Sequence, residues 1–148
     1  MLLVIFFISQ LSTALLQGSV MAKENLKGCI QLKSYSFCDS NLLNVTKIES
    51  SCSSGEVIIT ILATPTEMVT SGSIAVNAKD STFGIKLLSQ TYPLCSYAPC
   101  PLQKGINTTS VLQLVDPLSS GVTGGIDAKI KITDMNGKEI SCVNTHFE

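Results

Sequence analysis

Ile126, Ala128, Ile130 and Ile132 alternate with Asp127, Lys129, Lys131 and Thr133, the period of a strand with one buried and one wet face. Lys129 and Lys131 fall on the outward face, as solvated lysines. Gly137 closes the turn that follows. A two-residue Asn136-Gly137 loop would pair Ile132 with Ser141 and oppose Asp134 to Glu139, mixing faces and setting like charges together. A three-residue Met135-Asn136-Gly137 loop with Gly137 left-handed instead pairs Asp134 with Lys138, Ile132 with Ile140 and Ile130 with Cys142, and is the preferred register. It turns Cys142 toward the core. Upstream, GEVIITILATP (Gly55 to Pro65) is apolar in both phases and rich in β-branched residues, the pattern of a strand covered on both sides. CIQLKSYSFC, SGSIAVNA, FGIKLL and TTSVLQLV are shorter extended segments, separated by Thr64-Pro65, Ser71-Gly72, Asp80-Ser81, Ser119-Ser120-Gly121 and Gly124-Gly125. About seven strands at this spacing, with no long helical period, predict an all-β antiparallel sandwich.

The stretch MLLVIFFISQLSTALLQGSVMA has no charged side chain before Lys23 and ends in a small-residue Val20-x-Ala22 site. Residues 1–22 are therefore expected to be a signal peptide and residues 23–148 a single domain, secreted or delivered to an endosomal or lysosomal lumen. In such compartments the six cysteines (29, 38, 52, 95, 100 and 142) read as three disulfides. Zinc fits poorly: no CxxC occurs and the sole histidine, His146, is near the chain end. Asn44-Val45-Thr46 and Asn107-Thr108-Thr109 are glycosylation sequons.

The basic residues are ten lysines with no arginine, and the net charge is −1, which disfavours nucleic acid as a partner. Catalysis lacks its parts, since a nucleophile needs a nearby base and the single histidine lies two residues from the end of the chain, and no GxSxG, HExxH or phosphate-cradling Gly-Lys loop occurs. No enzyme activity and no cofactor are expected.

CSYAPCPLQKG (Cys95 to Gly105) sets two cysteines around Ser96-Tyr97-Ala98-Pro99. Closing so small a ring stabilises by about 2 kcal/mol, so its role is to fix a loop. Pro101 is expected to lead rigidly into the strand toward Leu112 and Leu114. This block, with three cysteines before it, one near the C-terminus and an apolar leader in front, resembles the ML domain (MD-2-related lipid-recognition). Within that superfamily it is most similar to the Niemann-Pick type C2 and phosphatidylglycerol/phosphatidylinositol-transfer branch. The similarity spans Lys27 to Val143.

The resemblance implies an immunoglobulin-like sandwich of two antiparallel sheets with an apolar cavity between them, and bridges Cys29–Cys142, Cys38–Cys52 and Cys95–Cys100; the residues alone leave fifteen pairings open. Covalent staples would offset the packing energy that a cavity forfeits. By the same resemblance Leu87 and Leu88 lie at the cavity mouth, Leu118 and Val122 at the opposite rim, and Lys104 can meet a lipid head group or membrane surface. Local pattern adds Phe83, Ile85, Tyr92 and Ile126 as wall or rim residues, with Gly121, Gly124 and Gly125 as flexible points. The absence of Trp and the short tail after Cys142 depart from the animal sterol carriers. The expected activity is transfer of phosphatidylinositol, phosphatidylglycerol or sterol by a monomer that touches membranes transiently. A module presenting lipid to a receptor or glycolipid hydrolase and a ligand-free structural sandwich are the alternatives.

Overall fold

In the computed structural model the described residues are 30–53, 56–115 and 124–148. The expected signal segment, Cys29, Leu118, Gly121 and Val122 lie outside them. The strands are β1 (Leu32–Asn41), β2 (Val45–Ser53), β3 (Glu56–Ala63), β4 (Gly72–Asp80), β5 (Lys86–Pro93), β6 (Thr108–Val115), β7 (Ile126–Asp134) and β8 (Glu139–Phe147), with one 3-10 turn at Leu94–Ser96. They form a five-stranded sheet, β1-β8-β7-β4-β5, and a three-stranded sheet, β2-β3-β6, with every neighbouring pair antiparallel.

The sandwich closes on aliphatic side chains. Ile74, Val76 and Ile130 of the larger sheet and Val57, Ile59 and Leu112 of the smaller are each at most 1% exposed. Burying a side chain of this size stabilises by about 1.5–3 kcal/mol, and β-branched residues suit the pleat.

Four expectations about the strands are corrected. β3 is buried on one face only: Val57, Ile59, Ile61 and Ala63 are buried, whereas Glu56, Ile58, Thr60 and Leu62 are half-buried, because among the described residues no third layer covers the small sheet. β2 was absent from the sequence expectations. Its burial does not alternate cleanly, since a bulge between Val45 and Lys47 breaks the phase. Pro101 does not enter a strand; Leu102 next to it forms an isolated bridge with Val69, and β6 begins only at Thr108.

The fourth concerns the final hairpin. Its turn is as expected: Gly137 is left-handed with φ 79°, and Asp134 N donates to Lys138 O at 2.9 Å. A bulge then shifts the register, so Ile132 faces Ser141, Lys131 faces Cys142 and Ile130 faces Val143. Cys142 consequently shares a face with Lys131, away from the core. It is nonetheless 1% exposed, because its sulfur is bonded to Cys38.

That bond, Cys38–Cys142, joins β1 to β8 with a Cα–Cα distance of 5.2 Å. β1 and β8 are neighbours, and Phe37 stands opposite Val143, so Cys38 arrives beside Cys142. The implied pairs Cys29–Cys142 and Cys38–Cys52 therefore do not form. Cys52 is itself disulfide-bonded, with its sulfur 3.9 Å from the Ile30 carbonyl oxygen. The local bridge Cys95–Cys100 is present as expected. Neither described disulfide joins one sheet to the other.

The two bridges should differ in energetic weight. Cys38–Cys142 closes a separation of 104 residues and Cys95–Cys100 one of 5, which corresponds to about 4–5 against about 2 kcal/mol in the chain-entropy model. Replacing Cys38 and Cys142 by Ser should lower the unfolding free energy in denaturant by roughly twice the loss caused by replacing Cys95 and Cys100. Equal losses would show that the long closure does not carry the stability assigned to it.

Candidate functional site

The strand ends place the candidate residues at two opposite poles. One pole carries the β4–β5 turn, the segment entering β7 and the end of β8. In the turn, Asp80 Oδ1 accepts from Thr82 N at 2.9 Å and Phe83 N at 2.7 Å, and Asp80 N donates to Ile85 O at 2.8 Å. This bracing projects Phe83 and Ile85 outward, 76% and 61% exposed. Leu88 follows opposite Ala78, Leu87 occupies the adjoining bulge, and both pack partly against the core. Ile126 sits here too, fully buried. Gly125 (φ 98°) accepts from Ser81 N at 3.1 Å, and a Cβ on it would come within 2.8 Å of the Phe147 carbonyl oxygen. It serves close packing rather than acting as a loose hinge.

Tyr92 and Lys104 belong to the other pole. Tyr92 meets Tyr97 edge-on with centroids 5.4 Å apart, and burial raises its phenol pKa. Lys104 is exposed beside Gly105, whose N–H donates to Pro65 O at 2.8 Å. Both sequons are at this pole: Thr64 N donates to Asn44 O at 3.1 Å, and the Thr64 hydroxyl donates to Asn107 Oδ1. The structure thus separates Lys104 from Phe83 and Ile85 by the length of the sandwich.

Sequence reasoning missed Tyr35 and Phe37. They stand opposite Thr145 and Val143 in β8, which are buried inward residues, so both rings point to the inner face. They remain 38% and 40% exposed and contact each other edge-on at 5.9 Å. The smaller sheet stops short of them, although the sheets touch nearby where Leu32 N donates to Ser50 Oγ at 2.8 Å. The alternation Tyr35, Phe37 was the available signal, but Ser34, Ser36 and Lys33 diluted it.

A trough of about 770 Å³ runs across the larger sheet, lined by residues of β1, β8, β7, β4 and β5 and by Gly84. No residue of β2, β3 or β6 lines it, and its polar side chains lie in the rows opposite in phase to Ile130 and Val76. It therefore lies on the outer face and is not the apolar space between sheets. At its edge His146 Nδ1 meets Asp127 Oδ1 at 2.7 Å and Nε2 meets Glu148 Oε1 at 3.3 Å. The Asp127 bond, then that of Glu148, raises the imidazole pKa, and the same Asp127–His146 bond lowers the carboxyl.

Residues 25–148 match the family model described as ML domain. The chain belongs to the ML-domain family. Among solved ML-type structures it resembles a Niemann-Pick type C2 protein from the Japanese carpenter ant, at 15% identity and a TM-score of 0.54, covering 77% of this chain and 97% of that one. It also resembles chicken MD-1 complexed with lipid IVa, at 12% identity and a TM-score of 0.56, covering 81% and 96%. No curated protein matches it by sequence. At these identities the likeness establishes the ML fold alone.

The histidine is a direct probe of this pole. Because its folded pKa is raised above 6.5, its contribution to stability is complete below that value and fades as pH rises through the higher folded one. Asp127, lowered from 3.8, contributes above that value and loses its part as pH falls through the lower one. The pair should stabilise from about pH 4 to about pH 6.5. The His146 ring should titrate above 6.5 by NMR and move downward in Asp127→Asn, and wild type should exceed that variant in stability more at pH 5.5 than at pH 8. A ring titrating below 6.5 would contradict the assigned bond.

Proposed function

We propose that the protein is a secreted or lumenal lipid carrier that shelters the hydrocarbon of a phospholipid or sterol between its two sheets and passes it between membranes without making or breaking a covalent bond. The observation that carries this reading is the unequal width of the sheets, which leaves the inward rings of Tyr35 and Phe37 incompletely covered. Inward positions between them and Leu88 hold only Thr145, Ala128 and Ala78. Such small side chains fill little of the roughly 10 Å between packed sheets, so hydrocarbon can complete the layer. Family membership supports the reading, as does the MD-1 relative's complex with lipid IVa.

A diacyl lipid exposes on the order of thirty methylenes, and at about 0.8 kcal/mol each their hydration opposes escape into water by more than about 20 kcal/mol. A carrier that docks at the bilayer removes that barrier. Phe83 and Ile85 would enter the membrane first, while glycans on Asn44 and Asn107 would stay at the far pole.

Lipid extraction and mass spectrometry of the freshly isolated protein should find a bound phospholipid or sterol. Purified protein should accelerate movement of labelled phosphatidylinositol, phosphatidylglycerol or sterol between vesicles. Phe83→Asp with Ile85→Asp, both at exposed positions, should slow transfer about tenfold or more while the fold is kept. An empty protein that moves none of these lipids would end the proposal.

A further inference from the structure

The outer trough has a chemistry that lipid carriage leaves unused. Its first row across the sheet is Ser34, His146, Asp127, Lys79 and Lys86, each opposite the next on neighbouring strands. The second row contains Ser36, Asn144, Lys129 and Asn77. Lys79 and Lys86 thus face each other directly, and Lys129 stands diagonal to Lys79, about 7–8 Å away at the backbone.

Like charges placed opposite one another repel; Asp127, opposite Lys79, and Glu139, on the side of Lys129, attract these lysines without closing an ion pair on them. Lys131, one row further on, pairs with Glu139 at 2.9 Å; among the described residues Lys79, Lys86 and Lys129 form no ion pair. The one carboxylate of the trough, Asp127, is hydrogen-bonded to His146. Three lysines therefore border a concavity that Ser34, Ser36, Asn77 and Asn144 also line, with Asp127 and His146 in the same row as Lys79 and Lys86.

We infer that this trough binds a phosphate-bearing polyol, such as an inositol or sugar phosphate. Lys79, Lys86 and Lys129 take the phosphate oxygens, and Asn77, Asn144, Ser34 and Ser36 hydrogen-bond the ring hydroxyls. The volume, about 770 Å³, exceeds what a lone phosphate fills and suits a substituted ring. The same group can come free in solution or on a membrane lipid. This inference stands apart from the proposed carriage of hydrocarbon, because the two spaces lie on opposite faces of the larger sheet.

The test uses inositol 1,4,5-trisphosphate by calorimetry and phosphatidylcholine vesicles with or without phosphatidylinositol 4,5-bisphosphate by flotation, at physiological ionic strength. Binding of the free trisphosphate supports a soluble source, and binding to the phosphoinositide vesicles alone supports a head group, provided the trough variants lose it. Lys79→Gln with Lys86→Gln should weaken binding about tenfold or more, whereas Lys47→Gln with Lys138→Gln, the same charge change outside the trough, should alter it less than about twofold. Asn144→Trp, which fills the trough without changing charge, should weaken it as strongly as the lysine pair. Circular dichroism checks that each variant is folded. No binding in either arm, equal losses in the two lysine pairs, or indifference to Asn144→Trp would overturn the inference.

Discussion

Five strands packed on three cannot close a sandwich evenly, and the other features of this ML domain follow from that mismatch. The smaller sheet has enough inward aliphatic surface, Val57, Ile59 and Leu112, to bury the middle of the larger one, where Ile74, Val76 and Ile130 meet it. Toward β1 the smaller sheet offers no partner strand among the described residues, and the rings of Tyr35 and Phe37 are part-exposed. The hydrophobic effect makes such uncovered inward surface costly at about 25 cal/mol per Å². A bound hydrocarbon recovers that cost, so the defect in packing and the proposed activity are the same feature.

The described covalent links do not repair the mismatch. Cys38–Cys142 ties two strands of one sheet, and Cys95–Cys100 shapes a loop. The long bridge instead fixes the edge strand β1 to β8. Among the described residues β1 has β8 as its only sheet neighbour, and an edge strand is the element with the fewest backbone bonds to hold it.

Much of this architecture was legible because hydrophobic side chains alternate wherever one face is buried. β7 announced itself through Ile126, Ala128, Ile130 and Ile132, and the turn at Gly137 was read correctly. Bulges defeated the same method. One residue inserted near Ile140 moved Cys142 to the opposite face, and one near Val45 hid β2 altogether, because a phase shift of one inverts every later assignment. The disulfide pairing failed for a related reason, since it depends on which strands become neighbours.

The candidate sites divide similarly. Phe83, Ile85, Leu87 and Leu88 are close in sequence and come together at one pole, whereas Lys104 lies far from them. The trough escaped notice because each lysine, taken singly, is an ordinary solvated position. Only the register sets Lys79 against Lys86 and brings Lys129 within reach.

The turn at Asp80 bears on how the proposed carrier would meet a bilayer. Three hydrogen bonds already fix it, two of them accepted by the Asp80 carboxylate, so in the proposed docking Phe83 and Ile85 would not lose backbone freedom on leaving water, and that entropy of about 1–2 kcal/mol per residue is already spent in folding. Under the proposed function, insertion would act like a wedge of set depth and angle, not a tail that searches for purchase, and tilt relative to the lipid plane would be decided before contact.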